Sequence, residues 1–148
     1  MLRIGTSGFS YKDWVGPFYP EGAPQAAMLP YYAQRYDTVE LDYTYYTWPS
    51  ARTLASLAAK VPDGFLFSVK AHQSMTHERA NLAEGAERFR SALGPLQERG
   101  MLAAILLQFP TRFTTAPKTR ITWRACATRC PGCRWPWNSA TAAGLPSA

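Results

Sequence analysis

The chain has 148 residues, of which 47% are hydrophobic and 14% aromatic, a composition that suits one domain with a sizeable core and not a disordered segment. No run reaches the roughly 18 consecutive apolar residues that span a bilayer, and the start, Met1 to Gly5, lacks the basic and apolar stretches of a secretion signal; a cytoplasmic protein outside the membrane is the expectation. The formal charge of +6 is uneven, because residues 1–115 hold 11 Lys and Arg against 10 Asp and Glu, whereas Lys118, Arg120, Arg124, Arg129, Arg134 and all three cysteines sit in an acid-free stretch of 33 residues at the end.

Leu2 to Phe9 reads as a short strand running into a loop, where Gly5 and Gly8 permit close backbone approach or positive φ. Tyr11 to Pro20 is aromatic and broken by Gly16 and Pro17, so it reads as an ordered loop. A helix is expected from Met28 to Tyr36, with Pro30 confined to its first turn, where a missing N–H costs no bond. Asp37 to Pro49 then reads as a strand of alternating faces. Val39 and Leu41 point one way, Glu40, Asp42 and Thr44 the other, and the stretch ends in a cluster of Tyr and Trp.

Ser50 is placed to cap a helix over about 51–60, which Pro62 stops. Gly64 to Ala71 is a third strand, with Phe65, Phe67 and Val69 opposed to Leu66, Ser68 and Lys70. The loop from His72 to Arg79 carries both histidines. Asn81, with Glu84 three residues on, signals a helix start, and that helix runs to about Arg99 with Gly100 ending it. Leu102 to Pro110 is a fourth strand, almost continuously apolar, as in a parallel strand covered on both faces.

Strand, loop and helix thus alternate four times, which argues for a parallel α/β sheet. In both the doubly wound sheet and the barrel, function gathers at the carboxyl ends of the strands. Thr6 and Ser7, Glu40 and Asp42, Ser68 and Lys70, and Gln108 fall there. Glu40 and Asp42 suit acid–base work or a divalent cation; the plainer reading pairs one of them with Lys70 across adjacent strands, since a buried charge needs a partner. His77, beside Thr76, is a further catalytic candidate, and Ser7, Tyr11, Trp14, Tyr46 and Gln108 are the ligand-binding candidates. The aromatic residues among them are able to stack a sugar or a base, or simply to pack the loops over the mouth. There is no G-x-G-x-x-G and no P-loop.

Ile4 to Tyr11 with Trp14, Gly16 and Phe18 to Pro20, then Tyr32-Ala33, Thr38 to Glu40, Tyr45-Tyr46 and Pro49-Ser50, resemble the YecE-like family, the domain of unknown function numbered 72. Val61-Pro62, Phe65, Phe67, Val69-Lys70, Thr76-His77 and Leu106 to Pro110 continue the resemblance in order and spacing. It implies a TIM-barrel-like fold of roughly 250 residues, of which this chain carries the N-terminal half, about four βα units over 1–115, followed by an irregular tail over 116–148. It implies no particular activity. Asp42-Tyr43 stands where the family more usually has Asn-Ser, which adds a negative charge beside Glu40.

In the tail, Cys126-x3-Cys130-x2-Cys133 has the spacing of a three-thiolate iron–sulfur site. Only fifteen residues follow Cys133, too few for the barrel such a motif precedes, and a cluster is not expected. A zinc site is not expected either, as the tail holds no His. Back-translated with G/C-rich codons, residues 117–141 read in another frame give Glu-Asn-Pro followed later by Leu-Ala-Val-Glu-Phe-Arg-His, the segment that the family pattern calls for. A single frameshift near Thr115 to Lys118 is the expectation. Three functional readings follow: a hydrolase- or isomerase-like enzyme acting on a small molecule, a nucleic-acid-binding protein without catalysis, or an inactive truncated product. An open half-barrel also invites self-association through its free edges.

Overall fold

Three parallel strands, β1 (Thr38–Leu41), β2 (Leu66–Lys70) and β3 (Leu102–Leu106), pair in that order. The computed structural model describes residues 2–78 and 81–110. Helix α1 (Gln25–Tyr32) precedes β1, α2 (Ala51–Ala58) joins β1 to β2, and α3 (Leu82–Glu98) joins β2 to β3.

The expected first strand is an extended segment rather than a full strand. Glu40 N–H donates to the Thr6 carbonyl at 3.0 Å and Gly8 N–H to the Glu40 carbonyl at 2.8 Å, a parallel bridge that seats residues 6–8 beside β1. The approach is close: a Cβ on Gly5 would lie 2.1 Å from the Thr38 carbonyl oxygen. Tyr32, fully buried, ties the same two segments together, its phenol accepting from Thr6 N–H at 2.9 Å and donating to the Thr38 carbonyl at 3.0 Å. The sheet therefore has four positions, segment 6–8, β1, β2 and β3.

Period-two alternation sorts the faces as the sequence predicts. Val39, Leu41, Phe67 and Val69 are at most 1% exposed, packed in one core with Leu54 and Ala58 of α2 and Phe89, Leu93 and Leu96 of α3. Each such side chain contributes about 1.5–3 kcal/mol by leaving water. On the opposite face the register aligns Glu40 with Ser68, Ser68 with Ala104 and Lys70 with Leu106. The sequence reading of β3 as covered on both faces fails: Ala104 and Leu106 on that face are exposed, Ala103 beside them is exposed too, and no residue of β3 is buried. Its continuous apolar run is the composition of a closed barrel, and the described residues supply half of one.

The element ends show which local signals worked. Ser50 accepts a hydrogen bond from Thr53 N–H at 3.1 Å and caps α2 as expected. Ser50→Ala is expected to lower the unfolding free energy by about 1 kcal/mol, measured by urea denaturation. The C-terminus of α3 also follows the expectation. Gly100 takes φ +64, its N–H bonding the Gln97 carbonyl at 3.0 Å while Met101 N–H reaches back to the Leu96 carbonyl at 2.8 Å. With Leu96 and Met101 both buried, this is a Schellman closure with its apolar contact.

Other signals were overridden. Helix α1 starts at Gln25 and ends at Tyr32, so Pro30 falls in the second turn, where it withholds the N–H that would bond the Ala26 carbonyl. Helix α3 does start where Asn81 signals it, at Leu82, although Asn81 takes the left-handed φ 49, ψ 45 and its side chain makes no capping bond. The alternation predicted for Glu40, Asp42 and Thr44 stops at Leu41, because a 3₁₀ turn over Tyr43–Tyr45 follows. Thr44 is consequently buried, with its hydroxyl 2.8 Å from the Leu41 carbonyl and 2.6 Å from the Lys70 carbonyl, where it links the ends of β1 and β2. The loop after β2 contains a short π-helical turn, Ser74–Glu78.

Candidate functional site

At the carboxyl end of β1 lies a pocket of about 310 Å³. Its walls come from Gly8 to Tyr11 of the first loop, Glu40 to Tyr43 at the strand end, Gln25 at the start of α1, and Thr53 and Leu57 of α2. Glu40 reaches it because residue 40 lies on the uncovered face of β1, and Asp42 because the strand has ended just before it. The lining holds two carboxylates and no Lys or Arg.

The first loop is folded onto Glu40. Ser7 Oγ lies 3.2 Å from Glu40 Oε1, and the Tyr11 hydroxyl donates to the Ser7 carbonyl at 2.5 Å. Gly8 makes this fold possible: it sits at φ +75, and a Cβ there would lie 2.4 Å from the Tyr11 hydroxyl. The Tyr11 phenol is pushed above its usual pKa, first by partial burial and then by the Asp42 and Glu40 carboxylates, so both acids act on the same spot. The Tyr43 hydroxyl, in the pocket wall, is buried without a hydrogen-bond partner among the described residues, and burial raises its pKa as well.

Lys70 does not pair with Glu40 or Asp42 among the described residues. Its ammonium stands 4.9 Å from the centre of the Tyr45 ring, and that ring packs edge-on against His77 at 5.3 Å and Tyr46 at 4.8 Å. The His77 Nδ1 lies 3.0 Å from the hydroxyl of fully buried Thr76. Lys70, His77 and Tyr46 thus meet around Tyr45, which sequence reasoning held only as one aromatic among several. Trp14 packs against Tyr11 at 4.9 Å and Phe18 at 5.6 Å and is not part of the pocket lining. Gln108 lies two residues past the end of β3 and is exposed.

Of the pocket residues that sequence reasoning missed, Gln25 and Thr53 come from the first turns of α1 and α2, and Leu57 from one turn further along α2. The available signal was topological: in a βα unit the start of each helix faces the same mouth as the end of the strand before it.

His72, the histidine given no role, is only 8% exposed and stacks on Trp48 at 4.3 Å. Arg88 also lies over that indole, at 4.5 Å. Ser74 N–H donates to His72 Nδ1 at 3.3 Å, which leaves the proton of the neutral ring on Nε2. Burial lowers the His72 pKa from 6.5; Glu78 and the Tyr46 backbone pull it upward and Arg88 adds to the lowering. A lowered folded-state value means that the unfolded chain binds the proton more readily. The stability tied to neutral His72 is therefore complete above about pH 6.5 and is lost as the pH falls through its folded value. Urea midpoints between pH 7.5 and 5.5 are expected to fall, and His72→Asn is expected to flatten that slope whatever its effect on absolute stability.

Among the described residues no three of His, Cys, Asp and Glu gather as a metal site, and no helix is long and apolar enough to cross a membrane. Cys126, Cys130 and Cys133, the cluster considered from spacing, lie outside the described residues.

Parallel strands linked by helices, with polar side chains on the strand ends, define a TIM-barrel-like α/β protein present over about half its length. Residues 3–135 match the family described as "Protein of unknown function DUF72", and the chain belongs to that family. The match runs beyond Pro110, the last residue of the sequence resemblance. The UPF0759 protein YunF of Bacillus subtilis (strain 168) is 32% identical over 119 residues, 76% of this chain and 41% of YunF. The crystal structure of the DUF72 family protein TM1631 from Thermotoga maritima MSB8 superposes with a TM-score of 0.73 at 37% identity, covering 84% of this chain and 50% of that one. The DUF72 family protein EF0366 from Enterococcus faecalis V583 follows, with a TM-score of 0.69 at 25% identity over 84% of this chain and 45% of its own. The chain thus spans half or less of the length of these relatives.

Proposed function

We propose that the pocket is the acid–base centre of a hydrolase- or isomerase-like enzyme acting on a small uncharged or cationic molecule. The observation that carries this is the Ser7 hydroxyl set 3.2 Å from Glu40 Oε1 at the edge of a pocket that Asp42, Tyr11 and Tyr43 also line. Glu40 is the general base, Ser7 orients its carboxylate, and the unpartnered Tyr43 hydroxyl is a donor waiting for a substrate oxygen. Lys70 and His77, gathered around Tyr45 at the end of the neighbouring strand and outside the pocket lining, form the second group of candidates. Two carboxylates without a cation in the lining suit a phosphate backbone poorly, which favours this reading over nucleic-acid binding.

The test is to incubate the protein in D₂O with a panel of small esters, glycosides and hydroxy-carbonyl compounds, following hydrolysis and solvent-deuterium uptake by NMR. Turnover by the wild type that Glu40→Gln loses supports the reading; turnover that Glu40→Gln retains sinks it.

We further propose that translation leaves the family's frame near Thr115 to Lys118, which the alternative-frame reading of residues 117–141 supports. The nucleotide sequence decides: a second frame encoding the remaining strands is expected, and its absence overturns the idea.

A further inference from the structure

We infer that the pocket takes a small molecule carrying a protonated amine, that the Asp42 carboxylate holds the amine, and that Phe9, Leu41 and Leu57 receive the apolar body. This rests on the acid–base reading above for what the amine is bound to do, and it divides the work between the two carboxylates. Glu40 is already engaged: its Oε1 faces the Ser7 hydroxyl at 3.2 Å, and its backbone bonds the first loop through Thr6 and Gly8. Asp42 is not. It stands at the start of the 3₁₀ turn Tyr43–Tyr45, yet its side chain makes no capping bond, and it forms no ion pair with any described residue.

Both carboxylates are only partly exposed, and a negative pair in a partly dehydrated wall attracts a cation and repels an anion. The nearby cations do not answer it among the described residues. Lys12 and Arg52, sequence neighbours of the lining residues Tyr11 and Thr53, do not line the pocket, while Lys70 and Arg88 lie against the Tyr45 and Trp48 rings. Charge alone does not define the ligand, and the walls supply the rest. A cavity of about 310 Å³ with Phe9, Leu41 and Leu57 in its lining has the size and character of an organic-ligand site. Tyr11 and Tyr43 add aromatic rings, whose faces suit a cation. The Tyr43 hydroxyl, buried and unpartnered among the described residues, can accept from the ammonium through its oxygen while its proton stays free for a substrate oxygen.

The test titrates the ¹⁵N-labelled 148-residue chain with phenethylamine, phenethyl alcohol and phenylacetate, probes of like size and different charge, and reads amide shifts. Phenethylamine is expected to move Gly8, Tyr11, Asp42 and Tyr43 and to bind about tenfold more tightly than the alcohol, the scale of a hydrogen bond to a charged group. Phenylacetate is expected to leave those amides still. Asp42→Asn is expected to weaken the amine about tenfold and to leave the alcohol unchanged, with a smaller effect from Glu40→Gln. An alcohol that binds as tightly as the amine, an amine affinity unchanged in Asp42→Asn, or shifts confined to residues outside the lining overturns the inference. If Asp42→Asn does not fold, the comparison of amine with alcohol on the wild-type chain decides. Failure of the catalytic role looks different: amine binding that needs Asp42, beside turnover that Glu40→Gln retains, removes the acid–base role and keeps the amine site. Turnover lost in Glu40→Gln without any preference for the amine does the reverse.

Discussion

Gly5→Ala is expected to lower the unfolding free energy by about 3 kcal/mol, at the upper end of what overpacking costs. The added methyl would meet the Thr38 carbonyl carbon at 2.8 Å as well as its oxygen at 2.1 Å, and backbone cannot swing aside as a flexible side chain does. Relief would have to come from moving residues 6–8 off β1, which breaks the Glu40–Thr6 and Gly8–Glu40 backbone bonds and parts Thr6 from the Tyr32 hydroxyl. Gly22→Ala is the matched control. Gly22 sits at φ +72 with nothing within 4 Å, so that substitution carries only left-handed strain, about 1 kcal/mol. Urea denaturation at unchanged m-value separates the two, and equal losses would refute the steric account.

Glu40→Gln is expected to lower kcat/KM by 10²–10⁴-fold on whichever compound the panel identifies, the usual contribution of a positioned general base. The amide keeps the shape of the side chain and can still meet the Ser7 hydroxyl, so binding should change little and the loss should fall on kcat. Ser7→Ala removes a bond to a carboxylate, worth roughly 1.5–3 kcal/mol. Its loss should be correspondingly smaller, because Ser7 acts only through Glu40. A Ser7→Ala loss as large as that of Glu40→Gln would make Ser7 the reacting group instead.

The fold was legible wherever one local rule met one long-range constraint. Val39, Leu41, Phe67 and Val69 alternate in sequence because one face of the sheet is buried by α2 and α3, and the structure repeats that alternation. Ser50 and Gly100 act through bonds to residues within five positions, so their meaning is contained in the sequence. Pro30 misled because α1 starts earlier than expected, at Gln25, and buries Met28, Leu29 and Tyr32 around it. The continuous apolar run of β3 misled because it reflects neighbours that the described residues do not include. The strand ends pointed to Glu40 and Asp42, which line the pocket, whereas the contact of Lys70 with Tyr45 was not legible. A 3₁₀ turn at Tyr43–Tyr45 swings Tyr45 under the ammonium, and nothing in strand periodicity announces that turn.

The most direct test of the central claim, that the ligand site lies at the carboxyl end of β1, is a fragment screen on the ¹⁵N-labelled chain read by amide chemical shifts. Binding fragments are expected to move Gly8, Tyr11, Glu40, Asp42 and Tyr43 together and to lose that effect in Glu40→Gln. Fragments that instead move Asp37 and Gly64, at the amino ends of β1 and β2, while leaving Gly8 and Asp42 still would contradict it.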